Sequence, residues 1–106
     1  MTIDLAIKTV CYVLELDRDT LTCSNHCKQN SSYSDARIIV TYLLRSKKPP
    51  EKLTDIALAL GRVKLDGTGD HSATLYYYRK YECYKFSKDA NFLAKLEKVK
   101  NAFVEK

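Results

Sequence analysis

The sequence predicts an all-α protein, one compact bundle of about five helices that contains a helix-turn-helix. Three observations point there. Glycine and proline are scarce, three and two residues among 106, whereas sandwiches and barrels need frequent turns and use more of both. Apolar residues recur at spacings of three and four, the period of a helix buried along one side. A short apolar helix ending at glycine is followed by a loop and a longer helix with basic residues, the order a helix-turn-helix needs. The length suits one core, so residues 1–106 read as a single domain.

The elements follow in order. Ile3, Ile7, Val10 and Leu14 share one face, which predicts a helix over residues 3–15 with Thr2 as its N-cap. Asp17 to Leu21 is long enough for one helical turn, and the Ser- and Asn-rich stretch to Ser34 reads as a loop. A helix over 35–46, capped by Ser34 or Asp35, carries the stripe Ile38, Ile39, Tyr42 and Leu43. Pro49 and Pro50 lie beyond its end. Leu53, Ile56, Ala57 and Leu60 make a short helix stopped by Gly61. Residues 62–69 form a polar loop with an Asp66-Gly67 turn signal. Asp70 or Ser72 then opens a helix to about residue 85, and 88–104 is an additional C-terminal amphipathic helix capped at Ser87 or Asp89. The helix-turn-helix therefore occupies about 53–85. Ile38, Tyr42, Ile56, Leu60, Leu75 and Phe92 are expected to meet in the core.

Charge is unevenly spread. The chain carries a net +5. Residues 45–88 hold ten basic and five acidic groups, while residues 1–44 are close to neutral. A basic block of this kind is either a solvated face or the footprint of a phosphate backbone. No apolar run approaches the roughly 20 residues of a membrane span. The N-terminal segment, interrupted by Asp4, Lys8 and Glu15, lacks the pattern of a signal peptide. A cytoplasmic home with reduced cysteines is the expectation, and no membrane partner is expected.

The stretch DHSATLYYYRKYE, Asp70 to Glu82, resembles the signature of the DNA-binding domain of the bacterial replication initiator DnaA. The Asp70-His71-Ser72 triplet opens its recognition helix, Leu75 is its aliphatic and Arg79-Lys80 its basic pair. LTDIALALG (53–61) resembles the first helix of that motif, ARIIVTYLLR (36–45) the preceding helix with its leading arginine at Arg37, and TIDLAIKTV the first helix of the domain. The resemblance covers about residues 2–86. It implies double-stranded DNA binding, sequence-specific, in replication initiation or its regulation. The departures are a longer loop over Arg62–Gly69, Gly69 in place of a basic residue, a weakly basic loop around Lys28, and Tyr77 where a small residue is usual.

The DNA-contacting residues expected are Asp70, His71, Ser72 and Ala73 at base edges, Arg37, Lys64, Arg62 and Lys48 on phosphates, and Lys28 in the loop where the family it resembles reads the minor groove. By themselves Asp70 and Ser72 would be helix caps. Arg45, Lys47, Arg79 and Lys80 are further basic candidates. Tyr77, Tyr81 and Tyr84 share a face and read as core rather than as a stacking platform. Cys23, His26 and Cys27 make only a half-site for zinc, so no metal and no cofactor is expected. No GxxxxGK[ST] loop and no oriented nucleophile is present, so an enzyme is not expected. The alternative is a protein-interaction module, the same fold docked on a replication or transcription protein with its DNA site eroded.

Overall fold

The computed structural model describes residues 2–22 and 31–104. Among the described residues six helices pack into an all-α bundle: α1 (Ile3–Leu14), α2 (Arg18–Leu21), α3 (Ser31–Ser46), α4 (Leu53–Ala59), α5 (His71–Ser87) and α6 (Ala90–Val104). None of the six is long and apolar enough to cross a membrane.

Helix α1 begins at Thr2, whose Oγ1 accepts from the Leu5 N–H at 3.1 Å. It turns Ala6, Ile7, Val10 and Cys11 inward. The one-turn α2 is capped by Asp17, which accepts from both the N–H and the hydroxyl of Thr20, at 2.9 and 2.8 Å. Those bonds hold the Asp17 carboxyl below its ordinary range.

Helix α3 is the axis of the bundle. Residues 35–41 are all buried, so it is enclosed around its whole circumference rather than along one stripe. It is already helical at Ser31, ahead of the residue 35 that its sequence suggests. Asp35 is not its cap. That carboxylate lies inside the helix and accepts from Lys95 Nζ of α6 at 2.9 Å. The first turn is tied down instead by Tyr33, whose hydroxyl accepts from the Asp17 N–H at 3.0 Å.

Helix α4 ends in a two-bond Schellman cap. The Arg62 N–H donates to Ala57 O and the Gly61 N–H to Leu58 O, with Gly61 at φ +75°. The segment that follows is not an open loop. Val63 and Gly69 form an antiparallel bridge, Lys64 N–H donates to Thr68 O at 2.8 Å, and Asp70 N–H donates to Arg62 O at 2.8 Å. A tight turn over Lys64–Gly67 closes this small hairpin, with Gly67 at φ +88°, the pattern of a three-residue hairpin loop with glycine in the left-handed position. Asp66 Oδ1 accepts from the Thr68 N–H and hydroxyl and stiffens the tip.

Helix α5 corrects one expectation of the core. Leu75 is 37% exposed and does not join it. The inward face is Thr74, Tyr77 and Tyr81, one register away. Thr74 is fully buried because its hydroxyl has an acceptor, donating to Leu53 O of α4 at 2.7 Å. Tyr77 and Tyr81 reach further than a leucine and keep their hydroxyls near polar partners. Ile38, Ile56, Leu60 and Phe92 are core as expected, and Tyr42 lies at its margin. Asp89 caps α6 by accepting from the Phe92 N–H at 3.0 Å.

The two hairpin glycines should respond differently to the same substitution. A Cβ at Gly69 would stand 1.9 Å from Thr54 O, a backbone atom that cannot swing aside. A Cβ at Gly67 meets nothing within 4 Å. Gly69→Ala is expected to cost about 3 kcal/mol or more in urea denaturation, and Gly67→Ala only the roughly 1 kcal/mol of its left-handed backbone. Equal losses would refute the close contact with α4.

Candidate nucleic-acid interface

The start of α5 is built by three devices. Asp70 accepts from the Ser72 N–H through Oδ1 at 3.1 Å, so its carboxylate closes the first turn. The hairpin enters directly from Asp70, whose own N–H is held by Arg62 O. Gly69 sits against the Thr54 carbonyl with no space for any side chain. The last device explains why a basic residue could not stand at position 69 in this structure.

Helix α5 then turns one face to solvent. His71, Ser72, Leu75, Tyr76 and Arg79 are exposed along its first three turns, and no carboxylate interrupts them before Glu82. Lys64 is exposed on the hairpin that leads into this helix, and Lys48 and Lys52 are exposed before and at the start of α4.

The candidate residues thus separate. His71, Ser72, Lys64 and Lys48 are at the surface. Asp70 is half-buried and engaged as a cap. Ala73 is half-buried and packed against the core, so its methyl is turned from a base edge. Two arginines are corrected outright. Arg37 is 2% exposed, and its guanidinium donates through Nε to Leu21 O at 2.9 Å and through a terminal nitrogen to Thr20 O at 3.2 Å. It caps the carbonyl end of α2 from within. Arg62 is 7% exposed, and its Nε donates to the Tyr77 hydroxyl at 2.9 Å. Neither reaches a phosphate in this arrangement. Lys28 and the Cys23, His26, Cys27 group lie outside the described residues. Cys11 is buried, which pushes its thiol up from the usual value, and Cys83 is exposed.

The other basic candidates divide similarly. Arg45 donates to Glu51 O at 2.8 Å, Lys47 pairs with the Glu51 carboxylate, and Lys80 lies 5.4 Å from the Tyr84 ring centre. Arg79 is exposed. Leu75 and Tyr76 also belong to the exposed face. Tyr77, Tyr81 and Tyr84, spaced by four and three, mark the inward face, and Leu75 falls nearly opposite them.

Arg37→Ala should cost about 3 kcal/mol or more, because it removes a buried side chain and leaves two carbonyls without their donor. Lys64→Ala, at an exposed site, should stay within about 0.5 kcal/mol of the parent. Thermal and urea unfolding of both variants checks this, and a silent Arg37→Ala would make that arginine a phosphate candidate again. No family model, curated protein or solved structure matches the chain.

Proposed function

We propose that this chain binds duplex DNA by placing the N-terminal turns of α5 in the major groove, with α4 braced behind it. The observation that carries this reading is the exposed, carboxylate-free face His71, Ser72, Leu75, Tyr76 and Arg79, beginning at a capped helix N-terminus. His71 and Ser72 can exchange hydrogen bonds with base edges, and Leu75 can meet a thymine methyl. Arg79 lies eight residues on, about 12 Å along the helix, roughly the width of the major groove. It therefore suits a phosphate at the groove edge. Lys64 on the hairpin suits another, and the net +5 of residues 45–88 supplies the long-range attraction. The resemblance of Asp70-His71-Ser72 and its flanking helices to the DnaA DNA-binding domain supports the same reading, and replication initiation or its regulation is the process it implies.

A second reading rests on the apolar part of the same face. Leu75 and Tyr76 are 37% and 55% exposed, which also suits docking on a protein. Salt separates the two. Duplex affinity should fall steeply with ionic strength, since each neutralised phosphate adds about −0.9 to the logarithmic slope. Lys64→Ala should weaken selected and random duplexes alike and flatten the slope by about one unit. His71→Ala should narrow the gap between a selected site and random DNA by about 1–3 kcal/mol and leave the slope alone. A flat salt response, or a preference unchanged by His71→Ala, would reject major-groove reading.

A further inference from the structure

A second surface lies at the other end of α5. Tyr42 of α3 with Tyr78, Tyr81 and Phe86 of α5 line an open groove of about 670 Å³. Its floor is rigid. The Tyr42 and Tyr81 rings stack with centroids 4.1 Å apart, and Tyr78 lies 5.9 Å from Tyr81. Phe86 stands at the rim 91% exposed, an apolar ring that only a bound partner would bury. Lys85 and Lys88 complete the wall with one carboxylate, Glu82. Lys100 of α6 places its Nζ 5.3 Å from the Tyr42 ring centre. Within the lining two ammonium groups, Lys85 and Lys88, stand beside one carboxylate, and their excess outweighs the roughly half negative charge of the α5 C-terminus. Burial raises Tyr42, but hydrogen bonding with Tyr81 and the charge of Lys100 outweigh it and hold that phenol below its usual value. Burial and Tyr42 push Tyr81 up to about 12.

We propose that this groove docks an acidic peptide segment of a partner protein, with an aromatic or aliphatic side chain seated against Phe86 and Tyr78 and carboxylates held by Lys85 and Lys88. The alternation of acidic and apolar residues is what an aromatic floor with a cationic rim complements. A single-stranded nucleic acid fits less well. Stacking needs free ring faces, whereas Tyr42 is covered by Tyr81 and Lys100, and Tyr81 is 7% exposed. Glu82 follows His71 by eleven residues, about 16 Å along α5, so this site and the α5 N-terminus can be occupied together. The proposal stands on the groove alone and does not depend on duplex binding.

The test uses the full chain and a fluorescein-labelled peptide in which Asp and Glu alternate with Phe, read by fluorescence anisotropy. Saturable binding is expected. It should weaken about tenfold, or 1.4 kcal/mol, for Lys85→Glu and for Phe86→Ser, both at exposed positions where circular dichroism can confirm an intact fold. It should weaken similarly for a peptide with Phe replaced by Ala, and His71→Ala should leave it unchanged. Lack of saturation, equal affinity for a peptide with Lys in place of its acids, or indifference to both groove variants would overturn the proposal. Displacement by oligothymidylate at lower concentration than by unlabelled peptide would assign the groove to nucleic acid instead.

Discussion

A guanidinium buried at the centre of the bundle needs internal acceptors, and Arg37 finds them in the last carbonyls of α2. This constraint organises the N-terminal half. A helix end leaves its carbonyls without intrahelical donors, and a charged donor is costly to bury without acceptors. Each solves the other's problem, but only while α2 abuts the middle of α3. Tyr33 makes the same junction from the first turn of α3, accepting from the residue that caps α2. With α2 fixed there, α1 can cover α3 on one side while α5 covers another. The enclosure of residues 35–41 follows.

The α4–α5 unit is held by polar contacts as much as by hydrophobic burial. Thr74 on Leu53 O, Arg62 on the Tyr77 hydroxyl and Gly69 against Thr54 O are three close backbone or hydroxyl contacts within one small region. They fix the angle and separation of the two helices to within hydrogen-bond tolerance. Apolar packing alone would allow them to slide. A long tyrosine at position 77 therefore serves the architecture, carrying an acceptor from α5 to the start of the hairpin.

Much of the fold is legible in the sequence because each clear helix carries its own punctuation. Thr2 before Ile3, Gly61 after Leu60 and Asp89 before the α6 stripe act where the sequence places them. The failures share a cause. Polar residues read as surface, yet Arg37, Arg62, Thr74 and Asp35 make their hydrogen bonds inside the protein. Their partners are carbonyls, a hydroxyl and an ammonium 15 to 60 residues away, which no local pattern reveals. Leu75 departs from expectation for the converse reason. Tyrosine takes either side of a helix, so the one aliphatic among several tyrosines reads as inward when it is not. Of the candidate site, the helix start and its cap are readable at Asp70. The hairpin's bonded order, and the sorting of arginines into structural and exposed, are not.

The hairpin between α4 and α5 is anchored to the helices through its base. Arg62, Gly69 and Asp70 carry the anchoring contacts, while residues 63–68 are all exposed. Changes in the length or composition of its tip therefore leave the geometry of both helices untouched, whereas a change of one atom at its root does not. The molecule thus separates an exposed appendage from a tightly packed root within nine residues, and the tip is the natural place to graft a foreign epitope or an extended arm without disturbing the bundle.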